Sequence, residues 1–460
     1  LMIQQFINRE EELRFLEERY QSKKSEFIII YGRRRIGKTE LVSFFMRNKP
    51  SIYVLATYRP VQETLRELQN KMAKLLQAPR FSQLNITHFD ELFEAFVELL
   101  NTTNAKLEDK KNKMVICIDE FPILIQRDKS IPFVFQRIWD EYIKDRNDIM
   151  LILMGSSISM METDVLGYKS PLYGRRTGQW LVTEFKIHTL KEYFVEYSLE
   201  DIVRTYSVTG GIPGYITQFD PSIPLKENII KNILTKGAYL YDEPEVLMRA
   251  ELRDPTNYFS ILKAIASGNR SFGKIVDATH LDKSIVSKYL AVLQNLRIIE
   301  REIPVLSSTK TKMGTKGGLY RITDNFFTFW FNYVYPFKSE LEAGNVASVM
   351  EHINRTFNEY VGTVYERLIL SPYIATKIVP FLYTDIGRWW FRDKEIVLVA
   401  VNQTTNKIFF GEVKWRKVTI KEIYKLIEQL REKAEFVSWK EGKREEYYGC
   451  LLYTSPSPRD

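Results

Sequence analysis

Cysteine and histidine are scarce in this chain of 460 residues, which has two of the first, Cys117 and Cys450, and four of the second, His88, His188, His280 and His352. Two thiols cannot build a disulfide framework, and Cys117 lies inside a strand-like apolar run, so the chain is expected in a reducing, cytoplasmic compartment. The dispersed histidines leave no zinc-like Cys/His cluster. Long apolar runs are also missing: no stretch approaches the roughly eighteen uninterrupted apolar residues of a membrane helix. Charge already appears by Arg9, where a secretory leader would carry its apolar core. Neither secretion nor membrane spanning is expected. Acidic residues fall short of basic ones, 58 against 66, for a formal net charge of +8. That excess favours an acidic polymer as partner, although a Lys-rich solvated surface gives the same total.

What is present is apolar bulk and punctuation. With 45% hydrophobic and 13% aromatic residues, the chain can fill sizeable cores, and its length suggests about two to four domains. Residues 32 to 39 read Gly-Arg-Arg-Arg-Ile-Gly-Lys-Thr, a complete phosphate-loop pattern between the apolar run Phe27 to Tyr31 and a helix-periodic stretch. In such a loop Gly32 and Gly37 let backbone N–H groups of Arg33, Arg34, Arg35 and Ile36 wrap phosphate oxygens, and the helix that follows adds its positive end. Lys38 reaches the β and γ phosphates and the Thr39 hydroxyl helps to hold Mg²⁺. Arg33 to Arg35 bring three further charges, which face the triphosphate, a carboxylate or a neighbouring subunit.

Further elements extend this site. Met114 to Ile118 is an apolar strand ending in Asp119-Glu120, with Asp119 suited to the metal shell and Glu120 to activating water as general base. Ile149 to Met154 is another buried strand, followed by Gly155-Ser156-Ser157. Ser156 there either senses the γ phosphate or belongs to a Ser-capped turn. In Ser170-Pro171-Leu172-Tyr173-Gly174-Arg175-Arg176-Thr177, Arg175 or Arg176 is either a finger that neutralises transition-state charge or part of an ordinary basic surface loop. A finger acting in trans implies a homo-oligomer. Asn8-Arg9-Glu10 opens an amphipathic helix with Asn8 as cap. Strands alternating with helices predict a parallel sheet flanked by helices.

These residues, together with Thr209-Gly210-Gly211-Ile212-Pro213-Gly214-Tyr215, resemble the archaeal-type ATPase family of AAA+ and STAND-related P-loop proteins. The resemblance implies an ATP- and Mg²⁺-dependent core over residues 1–185, with Asn8 and Arg9 among its nucleotide residues. It also implies a helical lid over 186–250 from which Pro213 approaches the nucleotide. Taken alone, Gly210 to Pro213 is a tight turn that ends one helix and starts another.

From Pro255 the pattern changes to three short helices and two strands, the order of a winged helix-turn-helix over 251–325. Lys283, Ser284, Ser287 and Lys288 would face a DNA major groove, and Lys310, Lys312 and Lys316 on the wing would meet phosphates. The other reading makes this module a protein contact or spacer. Asp282 is predicted to cap the third helix. The aromatic run Asn325 to Val334 reads as interdomain core.

Residues 326–449 resemble the domain commonly fused to archaeal-type ATPases, which looks like a restriction-endonuclease-type PD-(D/E)XK fold. The likeness maps Glu366 to the helix acid and Glu412 and Lys414 to the Glu-x-Lys pair. Where the pattern asks for Glu-Ile-Asp, this chain reads Glu395-Ile396-Val397, and Val cannot ligate a cation. A retained fold with a remnant site is expected ahead of an active nuclease. Residues 450–460 break the preceding pattern and are expected to be a non-native tail, outside the domain. The fold class is therefore α/β: a P-loop parallel sheet with helical lid, a winged helix-turn-helix, and a C-terminal α/β nuclease-like domain. The expected function is a nucleotide-controlled ATPase switch acting on DNA. The alternatives are a nucleotide-gated scaffold with little turnover and an ATP-coupled nuclease.

Overall fold

The computed structural model describes residues 8–102, 113–252, 254–307, 317–440 and 442–453. The chain forms two compact units. The first comprises residues up to Phe185 together with Ile212–Gly214, and the second comprises Lys186–Gly211 and everything from Tyr215 onward.

The first unit is built on a five-stranded sheet in the order β2-β3-β4-β1-β5. Its strands are β1 (Glu26–Tyr31), β2 (Ser51–Leu55), β3 (Met114–Asp119), β4 (Ile149–Gly155) and β5 (Gly178–Leu181), and all pairings are parallel. Every residue of β1, β3 and β4 is buried, the signature of central parallel strands covered on both faces. The edge strand β2 alternates instead. Helix α1 (Glu10–Tyr20) precedes β1, and α2 (Lys38–Met46) starts directly from the phosphate loop. Helices α3 (Val61–Leu75) and α4 (Phe89–Thr102) turn Leu65, Leu68, Met72, Leu92, Phe93 and Phe96 into the core. Asn8 does not cap α1: Arg9 holds the cap position with a left-handed backbone, φ 85°, and no side-chain cap bond forms. Asn8 Oδ1 instead accepts from Arg9 N at 2.6 Å, because the Arg9 guanidinium is drawn inward, as described below.

The second unit begins with α5 (Ile187–Tyr193) and α6 (Leu199–Thr209), the latter capped by Ser198. After further short helices between Pro213 and Glu251 comes a helix-turn-helix made of α7 (Thr256–Ala266), α8 (Phe272–Thr279) and α9 (Lys283–Asn295), with an antiparallel ribbon of β6 (Ile299–Glu302) and β7 (Leu319–Ile322). Ser271 caps α8, whereas Asp282 makes no side-chain cap bond to α9 and its residue stays exposed. Lys310, Lys312 and Lys316 lie outside the described residues. Helix α10 (Asn325–Tyr333) buries Phe326, Phe327, Phe329, Trp330 and Phe331, so the aromatic run is core. It packs against α6, α7 and the 24-residue helix α11 (Val346–Ile369).

The C-terminal sheet has the order β11-β10-β9-β8. After α11, β8 (Asp385–Phe391), β9 (Lys394–Asn402) and β10 (Lys407–Lys414) run antiparallel in turn. Helix α12 (Ile420–Ala434), opened by a Thr419/Glu422 capping box, then carries the chain to β11 (Glu445–Leu452), parallel to β10. Cys450, Leu451 and Leu452 therefore belong to the sheet, opposite Glu412, Val413 and Lys414, so the expected exclusion of residues from 450 onward does not hold for these three. β11 is an edge strand, exposed at Glu445 and Glu446 and partly buried from Tyr447 on. Among the described residues, no helix is long and apolar enough to cross a membrane.

Candidate functional site

The carboxyl ends of β1, β3 and β4 carry one hydrogen-bonded network, and the strand order explains it. Because β4 lies between β1 and β3, the residue after β4 stands between the phosphate loop and the acids that end β3. That residue is Ser156. Lys38 Nζ donates to Ser156 Oγ at 3.0 Å, and Ser156 donates from both N (3.3 Å) and Oγ to the Glu120 carboxylate. Lys38 also folds back on its own loop, donating to the carbonyls of Gly32 at 2.8 Å and Arg33 at 3.1 Å. It is only 6% exposed. Burial pushes its ammonium down to about 8, against the opposing pull of Glu120 and Asp119 and with the charge of Arg34.

Asp119 is the second centre. Its Oδ2 accepts from the Thr39 hydroxyl at 2.9 Å and from the Tyr53 phenol at 2.6 Å, and its Oδ1 accepts from Glu120 N at 2.7 Å. Burial and then the bond to Asp119 raise the Tyr53 phenol, so it stays a donor. Glu120 follows β3 with a left-handed backbone, φ 54°, which turns its carboxylate to Ser156. A hydroxyl and a carboxylate are hard oxygen donors, and Mg²⁺ binds through one or two carboxylates plus substrate phosphates rather than through a protein cage. Among the described residues, no group of three or more His, Cys, Asp or Glu side chains could hold a metal ion.

The loop is braced from its protein side. Arg9, 5% exposed, donates to the Ile36 carbonyl at 3.0 Å, to the Thr183 carbonyl at 2.8 Å and to Glu12 at 2.9 Å, with Phe185 below its guanidinium at 4.5 Å. Ile36 is buried and Arg35 exposed. Gly37, at φ 87°, begins α2 in a conformation that L side chains resist, and a side chain there would start 3.9 Å from Pro213 Cγ. Gly214 N donates to the Arg35 carbonyl at 3.0 Å, and a Cβ on Gly214 would fall 2.7 Å from Arg35 Cβ. The Ile-Pro-Gly turn thus belongs to the nucleotide unit.

Arg175 and Arg176 lie outside this network. Arg175 is bound by Asp140 at 2.8 Å and by the Pro171 carbonyl at 2.8 Å, and Arg176 lies over the Tyr173 ring at 5.9 Å. In the second unit, Glu366, Glu412 and Lys414 do meet. Lys414 pairs with Glu412 at 2.7 Å, and Lys433 stands 3.6 Å from the same carboxylate. Arg388 bridges Glu366 and Glu395, each at 2.8 Å. Burial raises the Glu366 carboxyl, and Arg388 and Lys414 oppose that shift. Val397 is buried in the apolar core of this domain. Sequence reasoning missed Tyr53, Arg388 and Lys433, since each acquires its partner only through strand register or helix docking.

The model of an ATPase domain found predominantly in Archaea matches residues 6–219. An uncharacterized protein of Methanocaldococcus jannaschii is 36% identical over 449 residues, which cover 97% of this chain and 95% of that protein. The chain belongs to the archaeal-type ATPase family. An uncharacterized ATP-binding protein of the same organism is 54% identical over 44 residues, 10% of this chain and 75% of that protein. Within this ATPase, residues 259–301 match bacterial regulatory proteins of the arsR family, and residues 330–426 match a family described as archaeal and bacterial proteins of unknown function. Among solved structures, a Walker-type ATPase of Pyrococcus abyssi matches with a TM-score of 0.50 at 22% identity, covering 71% of this chain and 96% of that one. That likeness extends the family fold and no more.

Proposed function

We propose that this family member is a Mg²⁺-dependent ATPase whose nucleotide state governs the helix-turn-helix and the C-terminal domain on DNA. The carrying observation is the single network that joins Lys38, Ser156, Glu120, Asp119 and Thr39. Asn8, through its bond to Arg9, and Pro213, beside Gly37, would shape the loop rather than carry charge to it. Mg²⁺, held by Thr39 and through Asp119, would supply charge neutralisation to the phosphates. Lys38 exchanges its loop carbonyls for phosphate oxygens, and Ser156 holds Glu120 until a water at the γ phosphate replaces it as the carboxylate's partner. Purified Lys38→Ala protein is expected to lose about 10²-fold or more of the ATP turnover, as for removal of one transition-state donor. Parent-like turnover in that variant overturns the reading.

For DNA, the support is exposure of Lys283, Ser284, Ser287 and Lys288 on α9. Turnover stimulated by duplex DNA and fading with salt is the expected result. Helix, three antiparallel strands, helix and parallel strand, with Glu366, Glu412 and Lys414 converging, support a nuclease-like ancestry for the C-terminal domain. Arg388 already neutralises Glu366 and Glu395, and Val397 supplies no ligand, so the domain serves to bind rather than cleave. A finger role for Arg175 or Arg176 would be played towards a second copy, since Arg175 is paired with Asp140 and Arg176 lies over the Tyr173 ring. A nucleotide-gated scaffold is favoured by one observation, that Glu120 is engaged by Ser156. ATP-driven assembly without steady phosphate release would decide for it.

A further inference from the structure

The edge strand β2 contributes one side chain to the site, and no sequence motif contains it. Tyr53 stands opposite Cys117 and two residues before Leu55, which pairs with Asp119. Since alternate residues share a face, Tyr53 lies on the face of Leu55 and Asp119, and the length of a phenol carries its hydroxyl to the Asp119 carboxylate. The bond is 2.6 Å and ends on Oδ2, the oxygen that also accepts from Thr39. The strand is pinned at this point, as Lys71 Nζ donates to the Tyr53 carbonyl at 2.7 Å. Asp119 is 2% exposed, and its second oxygen is taken by Glu120 N. Without Tyr53, the orientation of Oδ2 rests on Thr39 alone, a side chain whose hydroxyl is itself assigned to the metal.

We infer that Tyr53 is a positioning residue for the Mg²⁺ site, holding the Asp119 carboxylate in the orientation that receives the hydrated ion while Thr39 is engaged by it. The inference rests on the reading of the nucleotide site given above. Partners that orient a metal-binding group typically carry about 10- to 100-fold of metal affinity. Tyr53 is thus a determinant of Mg²⁺ dependence and not of nucleotide affinity as such.

The experiment titrates Mg²⁺ into a fluorescent ATP analogue bound to the full chain, and compares the parent with Tyr53→Phe and Tyr53→Leu. In Tyr53→Phe, the Mg²⁺ half-saturation is expected to rise about 10- to 100-fold, with binding of the analogue in EDTA unchanged. Tyr53→Leu discards the ring as well as the hydroxyl, so it is expected to match Tyr53→Phe in Mg²⁺ dependence although it melts lower. A purely structural role separates the two, because Phe preserves the packing and Leu does not. A Tyr53→Phe half-saturation equal to that of a responsive parent overturns the inference and leaves the ATPase reading standing. A parent that binds no analogue with or without Mg²⁺ overturns both.

Discussion

At Lys38, burial and function pull in opposite directions. Taking the ammonium out of water lowers its pKa to about 8, while Glu120 and Asp119 resist and Arg34 adds to the fall. Because the folded pKa is lowered, the unfolded chain binds this proton more tightly between about 8 and the ordinary Lys value of 10.5, so the folded state gains stability as pH rises through that window. The stability difference between the parent and Lys38→Met is expected to move in the parent's favour from pH 8 to 10.5, and chemical denaturation of both proteins at several pH values checks it. Phosphate prefers the charged form. ATP binding should therefore take up a proton near pH 8 and weaken above it, which calorimetry in buffers of different ionisation heat measures directly. That Lys38, Thr39 and Asp119 share one site was legible because phosphate chemistry constrains residue type and spacing together. Tyr53 was not, since a tyrosine in a half-buried strand reads the same whether its hydroxyl meets water or Asp119.

Among the elements, the turn Ile212–Gly214 shows how a short segment can serve a distant loop. Gly210 ends α6 at φ 60°, Ile212 is buried, and Pro213 starts the next helical turn at the position where a missing N–H costs nothing. Gly214 can approach Arg35 only because it lacks a Cβ. Gly214→Ala is expected to force that loop apart at about 1–3 kcal/mol, the usual range for overpacking. A lowered thermal midpoint together with weakened ATP binding checks it, whereas a parent-like melt would show that Arg35 yields freely. The buried strands β1, β3 and β4 were readable as continuous apolar runs. β11 was less so: its residues are half-buried, and only pairing with β10 shows that Cys450 to Leu452 complete the sheet. The cap expected from Asn8 failed for a related reason. A local cap competes with whatever the interior offers, and here two carbonyls of the unit, those of Ile36 and Thr183, take the neighbouring Arg9.

Across the second unit as a whole, one buried polar junction ties α6, α10 and α11 together. Tyr360 on α11 donates to the Ser207 carbonyl at 2.7 Å on α6 and lies 3.0 Å from the Asn325 carbonyl, while Asn325 donates to the Tyr206 carbonyl at 3.0 Å. Arg367 donates to Asn325 Oδ1 at 2.7 Å, and burial lowers its guanidinium to about 10. On the function proposed above, in which nucleotide state governs the helix-turn-helix and the C-terminal domain, α6 is the element that leads by chain connection to the turn at Pro213. Tyr360→Phe leaves buried acceptors short of a donor and is expected to cost about 1–3 kcal/mol. Basal turnover should persist and stimulation by DNA should fall; full stimulation in the variant would show that coupling runs elsewhere.

The sequence by itself determined the phosphate loop, the acids after β3 and the order of modules, because each is written in residue type at short range. Only the tertiary structure decided that Ser156 links Lys38 to Glu120, that Asp140 takes Arg175, that Arg388 fills the space between two carboxylates, and that Tyr53 reaches Asp119. Those partnerships depend on which strand lies beside which and in what register. A strand inserted between β1 and β3 leaves no mark on either, yet it sets the chemistry of both.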